Sequence, residues 1–260
     1  MNAAAAMPIL AVQQLSRAYG GVSAVAGLDL AVARGDLLGI IGPNGAGKTT
    51  LFNLMSGFER PTTGTVVFES CRIDGLRANR IARLGLSRTF QNLRVAPGLS
   101  VFDNVSVGAI GHYGYPSWLA FMPGAGGRRT AAIAQRTWAA LDRAGLAADA
   151  ERPAGSLSYG KRKYLEIARA LATEPRLLIL DEPAAGLNET ETAGLAAFIR
   201  ALHADGITIL LVEHDIGLVM STCTRVVVLA AGRKIAEGTP AEVRADRTVQ
   251  EAYLGTELNG

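Results

Sequence analysis

The segment Gly42-Pro43-Asn44-Gly45-Ala46-Gly47-Lys48-Thr49 constrains this chain more than any other part of it. It fits the pattern GxxxxGK[ST] without a gap, between the apolar run Leu37 to Ile41 and a helical pattern from Lys48 to Met55. Strand, glycine-rich loop and helix in that order predict a nucleotide-binding α/β core. A triphosphate carries dense negative charge. Glycines let backbone N–H groups approach its oxygens, and the start of the following helix adds a positive dipole end. Gly42, Pro43, Asn44, Gly45, Ala46, Gly47, Lys48, Thr49 and Thr50 are therefore the expected phosphate cradle. Lys48 is expected to reach the β- and γ-phosphates and the Thr49 hydroxyl to ligate Mg²⁺, so ATP and Mg²⁺ are the expected ligands. Of only four lysines in the chain, one stands where this loop requires it.

A second segment supplies acids. Leu177-Leu178-Ile179-Leu180 is an apolar run, read as a strand buried on both faces, and it ends in Asp181-Glu182. Asp181 at a strand tip is placed to hold Mg²⁺, and Glu182 to orient and deprotonate a water in line with the γ-phosphate. That pair points to hydrolysis.

The 260 residues, 49% hydrophobic and 19% charged, are ordinary for a globular chain and exclude intrinsic disorder. Apolar runs such as Val226 to Ala231 fall well short of the roughly 18 residues of a membrane helix, so no bilayer span is expected. The start, Met1 to Pro8, lacks the basic and apolar regions of a signal peptide. Cys71 and Cys223 fit no metal-ligand spacing or disulfide framework, and a reducing cytosol is expected. The net charge of +3 is spread along the chain. Arg128–Arg129 and Lys161-Arg162-Lys163 cluster, and read as a solvated face or contact loop; no nucleic-acid partner is expected.

Ile9 to Leu15 and Ala24 to Val32 read as antiparallel strands, Thr65 to Phe68 and Ile207 to Val212 as further strands, and Arg225 to Glu237 as a hairpin turning at Ala231-Gly232. Phe102 to Ala172 has helical periodicity, broken by the Gly-, Pro- and aromatic-rich stretch from Tyr113 to Gly127. No linker separates two domains. The expected organisation is one domain over residues 1–260, with a helical subdomain at about 102–172 and a C-terminal hairpin and tail at about 225–260.

Leu157-Ser158-Tyr159-Gly160-Lys161-Arg162-Lys163 directly precedes a helical run, and Thr173-Glu174-Pro175 then leads into the carboxylate strand. With its neighbours this segment resembles the signature motif, usually LSGGQ, of ABC-transporter ATPases, and the resemblance extends from Tyr19 to the C-terminus. It implies a P-loop NTPase core of the ABC ATPase type, with an antiparallel β subdomain and an inserted helical subdomain. It also implies that Ser158 and Gly160 contact the γ-phosphate bound by an opposite subunit, while Tyr159 and Lys161 depart from the commonest form. By the same resemblance Tyr19 stacks on adenine and Gln91, in Thr89-Phe90-Gln91-Asn92, joins the Mg²⁺ site beside Thr49 and Asp181. The resemblance likewise implies that Asn188, where most relatives carry Asp, lies in the loop that crosses between subunits. The resemblance also implies that His214, after a buried strand, contacts the γ-phosphate and supports the attacking water. His112 and His203 have no such placement and read as structural or solvent-facing.

Gly57-Phe58, Glu182 to Asn188, Val212 to Asp215 and Ala252-Tyr253-Leu254-Gly255 look like the larger ATPase subunit of bacterial branched-chain amino-acid importers. That resemblance implies a peripheral subunit on the cytoplasmic face of the inner membrane. Its expected partners are membrane permeases, a second ATPase subunit and, indirectly, a periplasmic binding protein. A partner's coupling helix is expected near Gln91 to Asp103. The stretch Tyr113 to Met122 reads either as a partner-binding patch or as a segment packed into its own lobe. Three other readings stand beside this one. They are an ATPase of a related importer or of lipopolysaccharide export, a non-transport ABC ATPase of DNA repair or translation, and a phosphotransferase. Long coiled coils or a second cassette would mark the non-transport ATPases, and neither occurs here; a phosphotransferase leaves Ser158, Gly160 and His214 without a role.

Overall fold

The computed structural model describes residues 7–90, 94–113 and 126–257. The strands, in chain order, are β1 (Leu10–Tyr19), β2 (Val22–Val32), β3 (Leu37–Ile41), β4 (Thr63–Phe68), β5 (Cys71–Arg72), β6 (Leu86–Arg88), β7 (Leu177–Asp181), β8 (Thr208–Val212), β9 (Arg225–Ala230) and β10 (Arg233–Gly238). The helices are α1 (Lys48–Met55), α2 (Ala78–Arg83), α3 (Val101–Tyr113), α4 (Gly126–Arg143), α5 (Tyr159–Leu171), α6 (Glu189–Ala204), α7 (Ile216–Thr222), α8 (Pro240–Ala245) and α9 (Arg247–Glu257). The chain forms two compact units, Met1–Ile81 with Leu195–Gly260, and Ala82–Gly194.

The first unit holds an antiparallel sheet in the order β2-β1-β4-β5. It also holds the strands β10-β9-β3-β8, in which β3 runs parallel to both β8 and β9, and β10 returns antiparallel to β9. Strands covered on both faces have no solvent side to alternate toward. Accordingly Leu37–Ile41 and Thr208–Val212 are buried at every position. Helix α7 lies so close to β3 that a Cβ on Gly39 would stand 2.3 Å from the Val219 Cγ1 and 3.0 Å from the Cys223 sulfur. Only glycine admits that approach. The two strands expected at the N-terminus are both longer than their apolar cores, and the hairpin turns at Ala231-Gly232 as expected. The C-terminal tail is not extended: it forms α8, closed by a Thr239–Glu242 capping box, and α9.

The second unit pairs β6 with β7 in parallel and carries α3, α4 and α5, with α3 packed on both other helices. Phe102 and Trp138 join α3 to α4 through a tilted ring contact, centroids 5.3 Å apart. The expected helical stretch at 102–172 lies within this unit; most of the break expected from Tyr113 to Gly127 falls outside the described residues, and Tyr113, Gly126 and Gly127 are helical. Among the described residues no helix is long and apolar enough to cross a membrane, and both cysteines are free thiols.

Candidate nucleotide site

Parallel pairing fixes where the first unit's candidate residues lie. β3 and β8 run side by side with Leu37 opposite Ile209 and Ile40 opposite Val212, so the residues after each strand emerge at the same edge. Those residues are the phosphate loop after β3 and Glu213-His214 after β8. The C-terminal ends of parallel strands are where open α/β sheets place ligands. His214 is exposed there, while Asp215 caps α7 by accepting the Leu218 N–H at 3.0 Å.

The loop is shaped by its neighbours. Gly47 has φ +94, and a Cβ there would stand 2.2 Å from the Ala24 carbonyl oxygen, so no other residue fits. The turn between β9 and β10 supports the loop, with the Gly232 N–H donating to the Ala46 carbonyl at 3.1 Å. Helix α1 starts with the Leu51 N–H donating to Gly47. Lys48 is buried, and its ammonium donates to the carbonyls of Gly42 at 2.5 Å and Pro43 at 3.0 Å. Asn44, Gly45 and Thr49 are exposed. A cation folded over a loop of exposed backbone is a cradle for an anion.

Tyr19 ends β1 with its ring half-exposed. The phenol donates to Glu59, and the Arg17 guanidinium lies 4.7 Å from the ring centroid. Asn53 of α1 donates to the same Glu59 carboxylate at 2.8 Å. The ring is thus anchored to the helix that follows the phosphate loop. Arg17, Asn53 and Glu59 were not legible as part of this set, because the chain brings them together only through β1 and α1.

Tyr253, quoted from the sequence only for its family resemblance, lies on α9. The Gly42 N–H at the head of the phosphate loop donates to its phenol oxygen, and burial pushes the phenol up to about 12 from an ordinary 10.0. Burial likewise pushes the Cys223 thiol up to about 12 from 9.0. Both groups keep protons in the folded protein that the unfolded chain releases earlier. Their contribution to stability is complete below about pH 9 and is lost as pH rises toward about 12. The urea midpoint is therefore expected to fall between about pH 8 and about pH 10.5. A Tyr253→Phe, Cys223→Ala double variant is expected to show a shallower fall.

In the second unit, the two acids after β7 are held differently. Asp181 is buried and pairs with the equally buried Arg88 at 2.6 Å, and its N–H donates to the Thr89 hydroxyl at 3.2 Å. Glu182 is buried with φ +48, the left-handed region that side chains other than glycine rarely adopt. The Lys163 ammonium donates to the Glu182 carbonyl at 3.4 Å. Lys163 is only 3% exposed, which corrects the expectation that Lys161-Arg162-Lys163 forms a solvated face. Lys161 is exposed and donates to Asp149 at 2.6 Å, but Lys163 points from the buried side of α5. A helical period explains the split: positions two apart on a helix do not share a face.

Ser158 caps α5, its hydroxyl accepting the Lys161 N–H at 3.3 Å. Asn188 caps α6: its side-chain oxygen accepts the Glu191 N–H at 2.9 Å, and its own N–H donates back to the Glu191 carboxylate at 3.1 Å. Gly160 is buried against that same carboxylate. Ser158, Gly160 and Asn188 are therefore neighbours, joined through Glu191. Gln91 lies outside the described residues, as does the side chain of His112; the His203 ring is 2.7 Å from the Gly35 carbonyl and is structural.

Residues 25–185 match the ABC transporter family, and residues 233–258 match the family of branched-chain amino acid ATP-binding cassette transporters. The chain is 42% identical to the high-affinity branched-chain amino acid transport ATP-binding protein BraF of Pseudomonas aeruginosa, covering 95% of this chain and 98% of the relative. It is 41% identical to LivG of Escherichia coli K12, a protein of the same description, with the same coverage. Its fold matches the ADP conformation of an ATP-binding cassette of an ABC transporter with TM-score 0.84 and 31% identity, over 96% of this chain and 99% of that one. A nucleotide-free cassette matches with TM-score 0.83 and 31% identity, over 95% and 99%. Phosphate loop, signature helix and paired acids, in this order and on this fold, place the chain in the ABC-transporter family as one of its nucleotide-binding, ATP-hydrolysing subunits.

Proposed function

We propose that this chain powers an importer for branched-chain or other hydrophobic amino acids, working as a peripheral subunit on the cytoplasmic face of the inner membrane. The observation that carries the solute class is 42% identity over 95% of the chain to a branched-chain amino acid transport ATPase. The transmembrane path and the solute site belong to separate permeases and, upstream of them, a periplasmic binding protein. A second ATPase subunit completes the nucleotide sites.

Thr49 and Asp181 are the proposed Mg²⁺ ligands. Thr49 is an exposed hydroxyl and Asp181 a carboxylate, both hard oxygen ligands. Bound Mg²⁺ would neutralise charge building on the phosphate oxygens. Gln91 is proposed to join Thr49 and Asp181 there. Lys48 leaves the Gly42 and Pro43 carbonyls to meet the β- and γ-phosphates, Tyr19 offers its ring to adenine, and the amides of the loop donate to phosphate oxygens. Glu182 takes a proton from water as the water oxygen bonds to the γ-phosphorus and the bond to the β-phosphate oxygen breaks. His214 holds the geometry of water and γ-phosphate. Ser158, Gly160 and Asn188 present the face that a second subunit's ATP meets, so that ATP favours closure and hydrolysis releases it.

The test is gentle purification of the tagged chain from membranes of the cells that make it, with Mg·ATP present. Two multi-span permeases and a second ATPase are expected. Ribosomes, DNA-repair proteins or no membrane partner would overturn the transport reading and leave the ATPase chemistry standing.

A further inference from the structure

The signature segment departs from its commonest form at Tyr159, and the structure shows what that residue touches. Its phenol donates to the Ala185 carbonyl at 3.2 Å. Its ring lies on Gly186: a Cβ at that position would stand 3.0 Å from the Tyr159 Cε1, and Gly186 has φ +80. The Arg162 guanidinium and the Lys163 ammonium lie 5.8 Å and 5.6 Å from the ring centroid. The ring is thus flanked by two cations and rests on a loop whose backbone leaves it room.

Two further links run parallel to this one. Glu191 lies against Gly160 with one carboxylate oxygen and accepts the Asn188 N–H with the other. Lys163, one turn along α5 from Tyr159, donates to the Glu182 carbonyl. The start of α5 and the segment from Glu182 to Glu191 are therefore joined at three points, and Tyr159 makes the outermost join. It is 42% exposed, so burial in a core does not explain why the ring stays on the loop. The hydroxyl–carbonyl bond, the ring's seat on Gly186 and the flanking cations do.

We infer that Tyr159 is a positioning residue that locks the signature helix to the Ala185–Asn188 loop, so that Ser158, Gly160 and Asn188 meet a partner's nucleotide as one rigid surface. This role rests on the ATPase reading above, in which those three residues act across a subunit boundary. The phenylalanine variant keeps the ring and loses only the bond to Ala185. A cap-like tie worth one hydrogen bond corresponds to about a three- to tenfold change in a local opening equilibrium.

The experiment compares wild type, Tyr159→Phe and Gly186→Ala, the last of which sets a methyl group against the ring. Hydrogen exchange without nucleotide is expected to quicken about three- to tenfold at the Ala185 and Leu187 amides in both variants. These amides donate to Glu182 and Ala184 within the loop. ATP turnover is expected to fall by a similar factor, while the Kd for ATP, measured on the chain alone, stays at the wild-type value. Unchanged exchange in Tyr159→Phe would overturn the inference, and so would turnover and ATP affinity falling together. A wild-type chain that hydrolyses no ATP, alone or with its second ATPase subunit, would instead overturn the functional reading and the positioning role with it; the exchange data would still judge the contact.

Discussion

Glu182→Gln is expected to bind ATP as tightly as the wild type and to hydrolyse it roughly 10²- to 10⁴-fold more slowly, the usual contribution of a positioned proton acceptor. The argument starts from the backbone. Glu182 is held at φ +48, with its carbonyl on the buried Lys163, immediately after a strand buried along its whole length. Strained conformations of this kind cost about 1–3 kcal/mol and persist where surrounding structure over-determines them. Here the strained backbone falls at the residue proposed to take a proton from water. Glutamine is nearly isosteric and tolerates the same backbone, so melting temperature is expected to hold while turnover collapses. Single-turnover phosphate release, with ATP binding measured in parallel, gives the comparison. Turnover within threefold of wild type would remove Glu182 from the proposed mechanism.

The second large effect concerns stability. Arg88 and Asp181 form an ion pair with both side chains about 95% buried, 2.6 Å apart. Desolvation offsets much of the mutual attraction of such a pair, but removing one partner leaves a buried charge uncompensated, at a cost of about 3–5 kcal/mol. Arg88→Met is therefore expected to lower the melting temperature by roughly 10 °C, on the scale of about 2–4 °C per kcal/mol for a chain of this size. The double variant Arg88→Met, Asp181→Asn removes both charges and is expected to recover part of the loss, a coupling that a thermodynamic cycle measures directly. A shift in Arg88→Met of under about 2 °C would show that the pair contributes little. Because Asp181 is also the proposed Mg²⁺ ligand, Mg·ATP is expected to raise the melting temperature of Arg88→Met more than that of the wild type.

The proposed nucleotide chemistry is legible where it rests on consecutive residues. Gly42 to Thr49, Asp181-Glu182 and the Ser158-to-Gly160 segment each combine a strand end or helix start with the residue types that its backbone demands. Local order along the chain sets those features. Helix α1 begins and ends at the expected residues, and β3 does likewise, because an uninterrupted apolar run and a glycine-bounded helix carry strong signals. Weaker signals failed. β6 has three residues, too few to show a period, and α9 follows a polar stretch that reads as a tail.

The supporting shell of the site was decided by the fold. Arg88 meets Asp181 across 93 residues of sequence, and Tyr159 meets Ala185 across 26. Tyr253 reaches Gly42 from the opposite end of the chain. None of these contacts follows from spacing, because each depends on which strands lie side by side and how closely helices pass over them. Linear order determined the proposed reacting groups, since a phosphate cradle and a strand-tip carboxylate are built from neighbouring residues. Tertiary packing decided what holds them still, since burial and charge pairing are properties of a neighbourhood in space.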